Sequence, residues 1–379
     1  MSSNGFGRVY KNYSFFKLLR LKTFFLICRF PLLTKNLHNI YSSMTKTIGP
    51  KLTNKLLKII YGDIFIGGEN FKELEICLRE IKREGLTAIT DYAREFLTKE
   101  EEITEIDNII KVYKDAIDSA VKVNMENSIA LKVSSFGNYE TMKKLNYYQN
   151  ILMIIEESLI QSKNYNEIKN ILKSKNIDTN PGEEEINSLN KIFCGQVKNF
   201  DLNLYEILKN AESNQELITI ISSIFDLTPE ILNEFKSYVL KLDSRLSEVF
   251  IHAKNKNCLI MIDAEQSYLQ IFIDYLAASY FKLINKEICL LMTTMQCYLK
   301  KEPENIKKIF TFCRENNLLV GVKLVRGAYM NEENRIAEQT QVESPINSDI
   351  ESTHQNYTLS IQYIFENFKE NDKVSFIIN

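Results

Sequence analysis

Two cations three residues apart, Lys323 and Arg326, stand within Val320–Met330, a run otherwise built from apolar and small residues. A lysine inside a strand that ought to be apolar on both faces needs a partner for its charge. Gly327 and Ala328 follow without bulky side chains, which lets the backbone come close to a neighbour. The same chemistry recurs upstream. Asp91 ends Leu86–Thr90, Lys132 lies near the end of Ser128–Val133, Asp263 and Glu265 follow Cys258–Ile262, and Gln296 lies beyond Glu287–Met292. Each has an ordinary reading by itself: Asp91 as a helix cap, Gln296 as the partner of a backbone group, Lys323 as a snorkelling side chain. Polar groups at five successive strand ends point instead to an anion-attracting pocket in which one carboxylate pairs a cation. Residue types alone leave the ligand open.

Positioning these side chains requires short buried strands alternating with helices. The apolar runs above, with Val374–Ile378 as a sixth, read as strands bounded by turn residues. Between them lie helical patterns, among them Phe71–Glu84 with Asn70 as N-cap and Gly85 as stop, and a long helix opened by the Thr98–Glu101 capping box. That long helix is expected to turn Ile103, Ile106, Ile109, Ile110, Tyr113 and Ile117 inward. Further helices are expected at Tyr268–Ile284, Pro303–Asn316 and Ser348–Glu370, the last with Tyr357, Ile361, Ile364 and Phe368 on one side. Strand–helix alternation implies a parallel sheet. Polar strand ends favour a (β/α)₈ TIM-type barrel, here incomplete at about six of eight strands, with N-terminal helices and a helical insertion at about 140–250. An open doubly wound sheet is the alternative, weakened because Asp91–Glu95 occupies the place of a glycine-rich phosphate loop.

The 379 residues carry a net charge of −2, with 45% hydrophobic and 25% charged residues, as in a globular protein and against nucleic acid as main partner. Seven widely spaced cysteines read as reduced, mostly buried thiols, and the three histidines are too far apart in sequence for a metal motif. No acidic residue precedes Asp63, whereas Arg8, Lys11, Lys17, Arg20, Lys22, Arg29 and Lys35 are interleaved with Phe, Leu and Ser. Residues 1–45 therefore read as a mitochondrial targeting leader and 46–379 as the barrel domain. A basic helix lying on an anionic membrane is the alternative for the leader.

With these motifs in place the chain resembles the proline dehydrogenase family, in its mitochondrial monofunctional type. The resemblance rests on YGDIFIGGE (61–69), GLTAITDY (85–92), IALKVS (129–134), MIDAEQSY (261–268), QCYLK (296–300), VKLVRGAY (322–329) and SPIN (344–347), in the family's order. It implies an FAD enzyme that oxidises L-proline to Δ1-pyrroline-5-carboxylate and passes electrons to a membrane quinone, on the matrix side of the inner mitochondrial membrane. Lys132 and Asp263 would lie beside the substrate. Gln296 would hydrogen-bond the flavin ring, Lys323 would take the place of an arginine near the flavin N5, and Arg326, Gly327, Ala328 and Tyr329 would line the cofactor; no metal is implied. The family's sixth strand ends in a His-bearing signature where this chain reads Phe376-Ile-Ile-Asn379. Two further strands and a final helix, with the paired arginines that clamp the substrate carboxylate, belong to the family and are not in this sequence. The sequence-based expectation is therefore a truncated family member, either a piece of a longer protein or a non-catalytic paralogue acting in binding.

Overall fold

The computed structural model describes residues 13–62, 64, 66–92, 94–123, 128–177, 179, 181–371 and 374–378. The chain divides into two compact units, Met1–Thr87 and Ala88–Asn379. The first unit holds α1 (Phe15–Cys28), α2 (Pro31–Lys35), α3 (Leu37–Ile48), α4 (Pro50–Leu57) and α5 (Phe71–Arg83). Gly49, at φ 79°, separates α3 from Pro50 at the start of α4. The Asn70 side chain accepts the Glu73 N–H at 3.0 Å, and Gly85 ends α5 at φ 76°, as expected. Ile76 faces solvent, so the apolar face of α5 is narrower than its sequence suggests. Arg8 and Lys11 of the leader, together with Asp63 and Asn379, lie outside the described residues, and so does the side chain of Phe368. Among the described residues no helix is long and apolar enough to cross a membrane.

The second unit is built on six parallel strands: β1 (Ile89–Asp91), β2 (Ser128–Leu131), β3 (Leu259–Ile262), β4 (Leu291–Gln296), β5 (Val320–Val325) and β6 (Val374–Ile378). Helix α6 (Lys99–Val123) joins β1 to β2. Between β2 and β3 run α7 (Tyr139–Ile160), α8 (Tyr165–Ser174), α9 (Glu183–Ile192), α10 (Leu204–Lys209), α11 (Gln215–Ile224) and α12 (Pro229–Asn255). Helices α13 (Ser267–Ile284) and α14 (Glu302–Glu315) follow β3 and β4; α15 (Met330–Thr340) and α16 (Ile350–Asn371) join β5 to β6. Each strand pairs with its sequence neighbour, in the order β1-β2-β3-β4-β5-β6. A doubly wound sheet reverses its order at a switch point; this one never does, and a barrel sheet is what an unreversed parallel order builds.

Register does the positioning. Leu131 pairs with Ile262, Ile262 with Thr293, and Thr293 with Val322. The next residue on each strand, Lys132, Asp263, Thr294 and Lys323, therefore falls in one row across β2 to β5. Side chains alternate faces along a strand, so Asp91, paired with Ala130 two rows below, points to the same side.

Buried polar groups weld the insertion to the sheet helices. Glu156 of α7 accepts the Tyr275 hydroxyl at 2.6 Å and the Leu202 N–H at 2.8 Å, and Asn146 accepts the Phe272 N–H at 3.0 Å. Phe272, Leu276 and Phe281 of α13 are fully buried, each contributing about 2 kcal/mol by burial. The structure corrects several sequence-based expectations. Strand β4 begins at Leu291 rather than Glu287, because the Asn285 carboxamide accepts the N–H groups of Leu290 and Leu291 and starts the strand there. Strand β1 is shorter than predicted, beginning at Ile89. Ile103 is 82% exposed, one turn too early on α6 to reach the core. Cys28 and Cys194 are exposed, against the expectation of mostly buried thiols.

Candidate active site

The row of strand ends forms one charge cluster. Asp263 receives the Lys323 ammonium on one carboxylate oxygen and the Lys132 ammonium, at 3.5 Å, on the other. Lys132 also reaches Glu95 at 3.1 Å, from the segment between β1 and α6. Both lysine side chains are only 12% exposed, so the pairing answers the problem that a buried ammonium poses. Burial lowers the Lys132 pKa, but Tyr329, Asp263 and Glu95 outweigh it and the net shift is upward. Asp91 is raised by burial and by Asp263, with Lys132 and Lys323 pulling it back. Carboxylates from Asp263, Glu95 and Asp91 thus surround two lysines, and the cluster is not the cationic, anion-attracting pocket that the strand ends suggested.

A second layer lies beneath. Glu265 is fully buried, accepts the Ser134 N–H at 3.0 Å, and is pushed up to about 7 by burial. Its carbonyl accepts the Gln296 carboxamide at 2.9 Å, and the Gln296 main-chain N–H donates to Glu302 at 3.1 Å. Gln296 is 2% exposed, so it is a wall of the site rather than an open surface group. Burial, then Asp274, drives Glu302 up to about 8. Residues Thr293–Gln296, Gln270, Asp274, Glu302 and the insertion residue Phe200 border a cavity of about 740 Å³. Lys132, Asp263 and Lys323 do not line that cavity, whereas Thr294, Gln296 and Ser267 belong both to it and to the rim.

Sequence-predicted site residues divide into two groups. Lys132, Asp263 and Lys323 come together, and Tyr329 lies within electrostatic reach of Lys132, Glu95, Glu265 and Asp263. Arg326 goes elsewhere: its Nε donates to His354 Nδ1 at 3.2 Å and its guanidinium lies 4.1 Å from the centre of the Tyr357 ring, both on α16. Gly327 lies between them at φ 127°, packed so closely on Tyr298 that a Cβ would come within 2.3 Å of the ring. Ala328 is exposed. Glu95 was missed, since nothing in the Asp91–Glu95 stretch beyond its place after a strand marks it as a lysine partner. The residues fit a large polar cofactor such as FAD: the side-chain oxygen of Gln266, three residues beyond Asp263, is buried without a hydrogen-bond partner, as a ligand donor would require.

The family model described as Proline dehydrogenase matches residues 77–377. Proline dehydrogenase 1, mitochondrial, of Dictyostelium discoideum is 25% identical over 94% of this chain and 54% of its own length. The protein of the same name from Homo sapiens is 20% identical over 93% of this chain and 70% of its own length. The chain thus spans about half the length of the Dictyostelium relative. Among solved structures, proline utilization A from Bdellovibrio bacteriovorus, inactivated by N-propargylglycine, superposes with a TM-score of 0.52 at 15% identity. That match covers 88% of this chain and 27% of the other, and it supports the barrel fold.

Proposed function

The chain belongs to the proline dehydrogenase family, and on that premise we propose that it oxidises L-proline to Δ1-pyrroline-5-carboxylate with FAD. We place it in the mitochondrion, as the names of its relatives suggest, with a quinone of the inner membrane as acceptor. The observation that carries the reading is the Lys132–Asp263–Lys323 row, three ionic side chains brought level by register across β2, β3 and β5. When bound, FAD would supply the two-electron acceptor for hydride removed from the proline ring.

The protein's part is orientation and electrostatics. Gln296, Lys323, Arg326, Gly327, Ala328 and Tyr329 are the residues that would hold the cofactor. Lys323 brings a fixed positive charge into a site with little water, where it favours negative charge developing nearby far more than it would in solution. Asp263 keeps that ammonium in place and holds Lys132 beside it. Lys132 and Asp263 are the residues that would lie against the substrate. Removing hydride asks for alignment more than for acid–base power.

Purifying the full chain from cells supplied with riboflavin tests this. Co-purified FAD that is bleached by L-proline without oxygen is the expected result. A folded protein that takes up no FAD, or whose FAD stays oxidised with proline, contradicts it.

A further inference from the structure

Glu333, on the first turn of α15, reaches across the rim to Ser267, 66 residues away in the chain. Its carboxyl group accepts the Ser267 main-chain N–H at 2.6 Å on one oxygen and the Ser267 hydroxyl at 2.5 Å on the other. Glu333 is 2% exposed. A buried carboxyl held by two donors of a single residue has little freedom to shift without losing one of them. Neither helix caps itself here. Gln266 makes no side-chain cap bond to α13, whose first turn has no acid, and Tyr329 makes none to α15. Glu333 therefore satisfies an orphan donor of α13 from another element, at the end of the helix where negative charge is favoured.

What this joins is specific. Ser267 follows directly on Asp263–Gln266, and Glu333 stands one helical turn beyond Tyr329, whose carbonyl accepts the Glu333 N–H at 3.0 Å. The front of the β5–α15 segment is fastened elsewhere, by the Cys297 N–H to the Val325 carbonyl at 2.8 Å and the Tyr298 N–H to the Arg326 carbonyl at 2.7 Å. Past Gly327, Ala328, Met330 and Asn331 are exposed and Tyr329 and Glu332 half-buried before Glu333 meets Ser267. We propose that Glu333 is a positioning residue that fixes Tyr329 relative to Asp263 and so sets the spacing between the β3 and β5 segments that would hold the cofactor. The consequence for FAD rests on the flavoenzyme reading above; the tie between the two segments does not.

The test compares the full-length wild-type chain with E333A, E333Q and S267A by two readouts. Amide hydrogen exchange without added flavin reads the tie, and quenching of FAD fluorescence reads cofactor affinity. In E333A, exchange should rise together in the segments 266–270 and 326–333, and the FAD dissociation constant should rise about tenfold, as for one lost hydrogen-bonded contact. E333Q, which keeps an acceptor for the Ser267 N–H, should restore affinity to within about threefold of wild type, and S267A should fall between the two. Faster exchange at 266–270 alone, or unchanged FAD affinity in E333A, makes Glu333 a plain helix cap and overturns the proposal. If E333A does not fold, S267A and E333Q decide on the same two readouts. Should the wild type bind no FAD, the functional reading falls, and the tie is still judged by whether both segments loosen together.

Discussion

Asp263 takes charge from two ammonium groups at once, and its loss would leave Lys132 and Lys323 facing each other in a poorly hydrated place. Removing one partner of such a pair costs more than the pair contributes, because the remaining charges stay buried. Asp263→Ala should lower unfolding stability by about 3 kcal/mol in urea titrations, and a second change, Lys323→Met, should recover part of that loss. No recovery in the double variant would mean that the two side chains do not share a charge balance. These residues were legible in the sequence because short continuous apolar runs made their polar ends conspicuous. Glu95 and Glu333 were not, since a glutamate in a loop or an acidic first turn looks like any solvated residue until its partner is known.

Strands and loops set how accurately those groups meet. Asn285 donates to the carbonyls of Leu291 and Leu319 at 2.7 and 3.1 Å and accepts from Leu290 and Leu291 at 3.2 and 2.9 Å. One carboxamide thus locks the starts of β4 and β5, and so the register that levels Asp263 with Lys323. Asn285→Ala should cost about 3 kcal/mol, because buried backbone groups lose their partners. A loss under about 1 kcal/mol would show that water replaces the side chain. Gly327→Ala should distort the loop, since the φ of 127° and the Tyr298 ring leave no room for a Cβ. The variant is expected to unfold at lower temperature and to bind FAD more weakly; equal behaviour to wild type would contradict the close packing. The offset of β4 had no local signal: Glu287–Leu290 is as apolar as a strand, and only a tertiary partner, Asn285, decides where pairing starts.

Across the second unit, three buried acids and the half-buried Asp274 share a pH dependence. Burial raises Glu156, Glu265 and Asp274 to about 7 and Glu302 to about 8. A carboxyl that holds its proton more tightly when folded lends its full stabilisation below its unfolded pKa and loses it as pH rises through the folded value. Urea midpoints should therefore fall steadily between about pH 5 and about pH 8, and a midpoint that rises over that range would contradict the assignment. Barrel and insertion were readable from strand–helix alternation, and the unreversed strand order removed the doubly wound alternative. The buried acids were not readable, because their burial depends on how the insertion packs on α13. The central claim is that the Lys132–Asp263–Lys323 row serves proline oxidation, and anaerobic rapid mixing of FAD-loaded chain with L-proline tests it most directly. Wild type should bleach, and Lys323→Ala, still folded and FAD-loaded, should bleach at least about tenfold more slowly. Equal rates, or no bleaching in the wild type, would contradict the account.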